Sequence, residues 1–189
     1  MILPILAYGH PVLNKVAADI DKNYPNLNEL IENMFETMYA ANGVGLAAPQ
    51  INLSIKLVVI DATTFEKERP ETKGFKKVFI NPHIIKEEGD EWLYNEGCLS
   101  IPDIHEDVSR KSTIRIQYYD ENFNFLDEIY SGILARIILH ECDHVYGKLF
   151  CDRLTPLKKM LLKRRLAEIS AGKITPKYKM SFPPQKKKK

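Results

Sequence analysis

The chemically most informative segment runs from residue 133 to residue 147, where an apolar helical pattern leads into the motif His-Glu-x-x-His. Steps of four, three and four residues put four side chains on one helical face: Ile133, Ile137, His140 and His144. Two imidazoles one turn apart can bind the same metal ion. Glu141 can reach the open side of that ion as a general base. A pair of purely structural histidines is the weaker interpretation, because buried imidazoles need partners for both ring nitrogens.

A catalytic metal site built on two histidines needs a third protein ligand. Some zinc proteases place a third histidine six residues after the second, but Phe150 stands at that position. Others use a downstream glutamate, and the candidate here, Glu168, falls in a basic segment that is typical of a protein surface. Cys98 is the remaining strong donor, since divalent iron and zinc both accept a thiolate.

Length and composition indicate one soluble globular domain. A chain of 189 residues can bury a core without disulfides, and 44% hydrophobic with 28% charged residues is ordinary for such a domain. The apolar N-terminus is interrupted by Pro4 and lacks a basic segment, which argues against a secretory signal or a membrane span. Three cysteines without paired spacing predict reduced thiols in the cytoplasm.

The charge is divided unevenly along the chain. Residues 153–189 contain 13 Lys and Arg against one acidic residue, a balance of +12, whereas the rest of the chain has 14 basic and 24 acidic residues, a balance of −10. A cationic C-terminal arm on an acidic body predicts an anionic partner, such as nucleic acid or a ribonucleoprotein surface. A solvated helix followed by a disordered end is an equally good interpretation.

Two further helices flank the central one in the predicted order of elements. Apolar residues repeat at three and four between residues 26 and 42, with Asn26 and Glu29 spaced as a capping box. A basic helix is predicted at about 156–171, opened by Pro156 and closed by Gly172. The predicted organisation is one catalytic domain over 1–172 and a disordered basic tail over 173–189.

Strands are predicted at 55–61, 77–81, within 84–94, at 112–119 and at 123–130, because these runs are rich in β-branched and aromatic residues and bounded by turns. Within 112–119, Ile114 and Ile116 face one way while Arg115 and Gln117 face the other. Strands gathered before one long helix indicate an α+β fold. We expect antiparallel and mixed β-sheets packed around a central metal-binding helix, with an N-terminal and a C-terminal helix.

Three short motifs together resemble one known family. GVGLAAPQ at 43–50, EGCLS at 96–100 and HECDH at 140–144 are similar, in order and separation, to the three motifs of bacterial peptide deformylases. The resemblance implies removal of the formyl group from N-formylmethionine at the start of nascent polypeptides in the cytoplasm. It implies one metal ion held by Cys98, His140 and His144. That ion would be Fe(II), with zinc, nickel or cobalt as substitutes.

The resemblance also implies roles for the residues around the metal. Glu141 would take a proton from the attacking water and pass it to the departing amine. The Gln50 amide and the Leu99 backbone N–H would stabilise the oxyanion. The remaining residues would contact the substrate: Gly43, Val44, Gly45, Gly97, His105, Ile133 and Ile137.

Three positions depart from the family pattern. Leu139 stands where Gln is usual, Cys142 where a larger apolar residue is common, and His105 where many members carry an Arg that contacts the substrate backbone. Because imidazole is shorter than guanidinium and only partly charged near neutral pH, we expect His105 to affect substrate affinity more than chemistry.

Two other functions compete with deformylation. A metallopeptidase would use the same ligands on a different amide, and a ribosome-binding factor would act through the basic arm without catalysis. Related bacterial deformylases dock on the ribosome through a C-terminal helix, so the resemblance also implies a ribosome contact. Neither a membrane partner nor sequence-specific nucleic-acid binding is predicted.

Overall fold

The computed structural model describes residues 1–184 and is an α+β fold built on a five-stranded sheet. The strands of this sheet, in spatial order, are β2 (Gly45–Ala47), β3 (Leu57–Asp61), β4 (Lys76–Cys98), β5 (Ile101–Tyr119) and β6 (Phe125–Ser131). Every pair in it is antiparallel. Predicted strands 77–81 and 84–94 are one continuous strand, β4, which bends at register shifts rather than ending.

Three helices cover the sheet and its ends: α1 (Leu27–Ala40), α2 (Gly132–Val145) and α3 (Pro156–Ser170). Alternate residues of β3 belong to different cores, since Leu57 and Val59 pack with α1 whereas Val58 and Ile60 pack with α2. The sheet is therefore covered on both faces at this point, which explains why β3 is an unbroken apolar run. Ile114 and Ile116 point into the α2 core, as their alternation predicted.

Helix α2 is the most enclosed helix, with nearly all its side chains buried. A helix surrounded by protein must satisfy its polar side chains internally. Helix α3 is different, because it buries one stripe, Leu162, Leu166 and Ile169, against the start of β5 and leaves its other faces exposed. Among residues 1–184, no helix is both long and apolar enough to cross a membrane.

Some sequence predictions need correction. Asn26 precedes α1 in a left-handed conformation and its side chain makes no capping hydrogen bond, so the predicted capping box is wrong. Parallel pairing is confined, within residues 1–184, to a separate two-stranded sheet and one isolated bridge, so the main sheet is not mixed.

The segment after α3 was predicted to be disordered. Up to residue 184 the structure instead contains a short strand. Strand β7 (Met180–Ser181) pairs in parallel with β1 (Ile5–Leu6). Without β7, the backbone N–H and C=O groups along this edge of β1 would lack partners in the protein. The expectation of disorder for residues 185–189 concerns residues outside the described part of the chain.

Candidate active site

Helix α2 and the end of β4 bring the three predicted ligands together. The donor atoms of Cys98, His140 and His144 all lie within 4.8 Å of one another. Cys98 Sγ is 3.3 Å from His144 Nε2, and the two imidazole rings lie 5.3 Å apart, as expected one helical turn apart. Three soft or borderline donors at this separation fit one divalent metal ion.

Local structure explains how Cys98 reaches the helix. Cys98 pairs with Ile101 across a tight turn formed by Leu99 and Ser100, so the thiol sits at the very end of the β4–β5 hairpin. Glu96 and Gly97 still belong to β4, so the turn contains only Leu99 and Ser100. Gly97 leaves space for the ring of the exposed His105 on β5, because a Cβ on residue 97 would lie 2.5 Å from that ring.

Cys98 and the two imidazoles share a buried proton. Burial by itself would raise the pKa of the Cys98 thiol, but the charge of His144 and hydrogen bonds from both imidazoles lower this pKa to about 5. Burial would lower the pKa of His140, whereas hydrogen bonds to Cys98 and Glu96 raise it to about 10. The Cys98 thiol is then ionised and the His140 imidazole protonated. A bound metal ion would take the place of the proton between them.

One unsatisfied polar atom supports the same fit. The Oε2 atom of Glu141 is buried without a hydrogen-bond partner among the described residues. Buried polar atoms are rarely left unpaired unless a ligand or water completes their bonding. Glu141 faces the same space as the donor atoms, so its free oxygen is available to a reacting molecule.

A buried ion-pair network orients His140. The Nδ1 atom of His140 is 2.9 Å from Glu96 Oε2, which leaves Nε2 for a metal. Arg110 donates to both oxygens of Glu96, at 2.7 and 2.8 Å, and Arg136 donates to Glu96 at 2.9 Å. Burial tends to raise the pKa of Glu96, but the hydrogen bonds from Arg110 and His140 hold it well below its usual range.

The same network continues to Asp143, whose orientation could not be predicted from the sequence. Its carboxylate accepts hydrogen bonds from Arg110 and Arg153, each at 2.6 Å. Burial opposes ionisation of Asp143, yet the bond from Arg153 and the charges of both arginines lower its pKa. The carboxylate one residue before His144 is therefore ionised and held in place.

Glu141 packs against the backbone of β2. A Cβ on Gly45 would overlap the Glu141 carboxylate, so only glycine permits this close approach. Burial raises the pKa of Glu141, and this effect outweighs the neighbouring imidazoles. A carboxylate with a raised pKa is better able to accept a proton near neutral pH.

The Gln50 side chain is fully oriented before any substrate binds. Its Oε1 accepts a hydrogen bond from the Ala47 N–H at 2.9 Å, which points the amide nitrogen toward the metal ligands. Nε2 lies 3.6 Å from Cys98 Sγ and 3.2 Å from Ser100 Oγ. A donor held in this way costs little reorganisation when an oxyanion develops beside it.

A cavity of about 400 Å³ opens beside these groups. All predicted site residues border it except His144, which lies deeper, behind Cys98. Ile133 and Ile137 contribute to an apolar side of the cavity, as helix geometry predicted. His105 is at the exposed rim, close to the end of the hairpin.

Several residues at the site were missed from the sequence. Phe65, Tyr94 and Tyr178 line the cavity, and Arg110 and Arg136 hold Glu96. Arg136 precedes His140 by one turn of α2, so its place near the ligands could have been predicted from helical spacing. No comparable pattern marks the others. Leu139 and Cys142, which depart from the family pattern, are both buried in the core beside α2.

Arg110 and Arg115 offer a matched test of the buried network, because both lie on β5 and both donate two hydrogen bonds to one carboxylate. We expect Arg110→Met to lower the free energy of unfolding by about 3 kcal/mol, since it leaves buried carboxylates undercompensated. Arg115→Met removes an exposed pair and should leave the urea midpoint unchanged. Equal midpoints for the two variants would contradict a dominant role for the buried network.

Comparison with known proteins agrees with this geometry. The family model described as polypeptide deformylase matches residues 2–160. The peptide deformylase of Christiangramia forsetii is 55% identical, over 99% of both chains, and that of Flavobacterium psychrophilum is 53% identical, over 99% of this chain and all of the relative. A crystal structure of a peptide deformylase from Legionella pneumophila is 37% identical, with a TM-score of 0.79 over 92% of this chain and 98% of that one. The chain therefore belongs to the polypeptide deformylase family, metal-dependent hydrolases that remove the formyl group from N-formylmethionine of nascent peptides.

Proposed function

We propose that Cys98, His140 and His144 hold one divalent metal ion and that the adjoining cavity receives the formylmethionine end of a nascent peptide. The observation that carries this proposal is the approach of the three donor atoms within 4.8 Å of one another. In this proposal α2 is the central metal-binding helix and the enzyme works in the cytoplasm. The catalytic domain contains residues 1–172 and also the segment up to β7, since Tyr178 lines the cavity. We propose Fe(II) as the native ion, with zinc, nickel or cobalt as substitutes.

The bound ion would acidify a water molecule and polarise the formyl carbonyl. Glu141 then acts as general base: its carboxylate takes a proton from the attacking water and later gives that proton to the departing amine. The products are formate and a peptide with a free N-terminal amino group. The raised pKa of Glu141, caused by its burial, supports a residue that must both accept and return a proton.

Gln50 and Leu99 stabilise the oxyanion that forms when water attacks the formyl carbonyl. The amide nitrogen of Gln50, already oriented by Ala47, donates one hydrogen bond, and the Leu99 backbone N–H donates another. Substrate binding is assigned to the cavity walls. Val44, Ile133 and Ile137 receive the methionine side chain. The substrate backbone lies along the main chain of Gly43, Gly45 and Gly97, which borders the cavity.

A second proposal concerns the ribosome, which would meet the basic C-terminal helix. Leu157, Met160 and Leu161 on α3 are 62%, 64% and 68% exposed. Exposed cations, among them Lys163 and Arg164, lie on the same helix. An exposed apolar row beside cations is suited to a large anionic surface. The other side of α3 is buried, so this contact is tested with point substitutions rather than by deleting the helix.

We expect the unmodified protein, purified without oxygen, to contain about one metal ion and to release formate from a formylmethionyl peptide. Glu141→Gln should keep the metal and lower turnover by about a thousandfold, because the general base is lost. Cys98→Ser should lose metal as well as activity, since a hydroxyl is a poorer ligand than a thiolate. Release of new peptide fragments in place of formate would instead identify a metallopeptidase.

His105→Arg should lower the Michaelis constant for formylmethionyl peptides roughly threefold with little change in turnover. A guanidinium reaches further than imidazole, stays charged, and donates more hydrogen bonds to substrate carbonyls. The measurement is steady-state formate release over a range of peptide concentrations. An unchanged or higher Michaelis constant would count against a substrate contact at this position.

Replacing both Lys163 and Arg164 with glutamate should weaken ribosome binding at least tenfold in low salt, with a smaller loss in high salt. Turnover of a short formyl peptide should stay the same, because both side chains are exposed and lie outside the cavity. The control makes the same charge change at Lys15 and Lys22, exposed residues of the N-terminal segment. Ribosome affinity that is equal in the two double variants would refute docking through α3.

A further inference from the structure

The segment after α3 returns to the active site, although it lies beyond residues 2–160, the part of the chain that the family model matches. Its path is held by backbone hydrogen bonds to β1: the Ile5 N–H donates to the Lys179 carbonyl at 2.9 Å, and the Ala7 N–H donates to the Ser181 carbonyl at 2.8 Å. These bonds place Tyr178 at the wall of the catalytic cavity.

Tyr178 contacts the turn that follows the metal-binding cysteine. Its hydroxyl donates a hydrogen bond of 2.7 Å to the Leu99 carbonyl. The next carbonyl, of Ser100, accepts a hydrogen bond of 2.8 Å from the Tyr8 N–H. Both carbonyls of the two-residue turn are therefore held by other segments. Burial raises the pKa of Tyr178, so its hydroxyl keeps its proton and remains a donor at neutral pH.

The orientation of this turn matters for the reaction. Leu99 supplies the backbone N–H that the proposed mechanism aims at the oxyanion, and a donor contributes most when its direction is set before the reaction begins. The Leu99 side chain packs against Gly43. A Cβ atom on residue 43 would lie only 2.7 Å from Leu99 Cδ1. Among these contacts, the Tyr178 hydroxyl bonds to the main chain of Leu99. It fixes the peptide plane that follows Leu99 and so limits rotation of the residue that carries the N–H.

We propose that Tyr178 is a positioning residue for deformylation, which holds the Leu99 turn so that its N–H points at the developing oxyanion. This inference rests on the proposed function of the site. Tyr178 need not touch the substrate in this role. It acts through Leu99, so its hydroxyl should matter in the transition state and much less in substrate binding.

The test compares Tyr178→Phe with Tyr146→Phe in the metal-loaded enzyme. Each variant loses one tyrosine hydroxyl that donates to a backbone carbonyl. The Tyr146 hydroxyl donates to the Pro82 carbonyl at a distance of 2.9 Å, and this hydrogen bond lies away from the Leu99 turn. We expect Tyr178→Phe to lower kcat about tenfold while KM changes less than about twofold. Tyr146→Phe should retain the wild-type kcat and KM. Thermal unfolding of both variants checks that each is folded.

A binding measurement separates positioning from a general loss of structure. A peptide aldehyde, whose hydrate resembles the tetrahedral intermediate, should bind Tyr178→Phe about tenfold more weakly than the wild type. The product peptide with a free amino-terminal methionine should bind both equally. If both ligands bind more weakly by the same factor, or if KM rises at unchanged kcat, the proposal is overturned. Tyr178 would then be a residue that contacts the substrate directly.

Other outcomes are equally decisive. Unchanged kinetics in Tyr178→Phe, or the same loss of kcat in both tyrosine variants, would overturn the positioning role alone. A wild-type protein that releases no formate would overturn the proposed function and this inference with it. The two failures are thus distinguished by the activity of the unmodified enzyme.

Discussion

The ion pairs of Arg110 determine how the long β4–β5 hairpin meets helix α2. Its guanidinium is fully buried and binds Glu96 on one element and Asp143 on the other. Moving either carboxylate away would leave buried charges with fewer partners of opposite sign, which is more costly than losing an exposed pair. Because Glu96 lies two residues before Cys98 and Asp143 one before His144, the interaction that joins the two elements also brings the thiol to the imidazoles.

Around this junction, the side chains that we propose to act in the reaction are oriented by neighbours that have no chemical role in that proposal. Ala47 directs the Gln50 amide, Glu96 directs His140, and Gly45 allows Glu141 to lie against the strand. Such preorganisation moves the cost of ordering the site from the reaction to folding. The site is correspondingly spread over the chain, from the β2 strand to the segment after α3.

The two sides of α3 have different surroundings. One side of α3 and the strand β7 complete the body and support the hairpin end through Tyr178. The opposite side of α3 is exposed and cationic. A helix that is buried on one side and free on the other can contact a partner without disturbing the cavity.

The sequence by itself determined helix α2, the facing of Ile114 and Ile116, and the residues that could bind a metal, because these follow from local periodicity and side-chain chemistry. It did not determine β7, which exists because β1 offers an unpaired edge. Nor could it pair Arg110 with Asp143, 33 residues away, or Tyr178 with Leu99, 79 residues away. Only the tertiary structure decided these contacts, since buried charges and hydroxyls bond to whatever group folding brings near, at any separation along the chain.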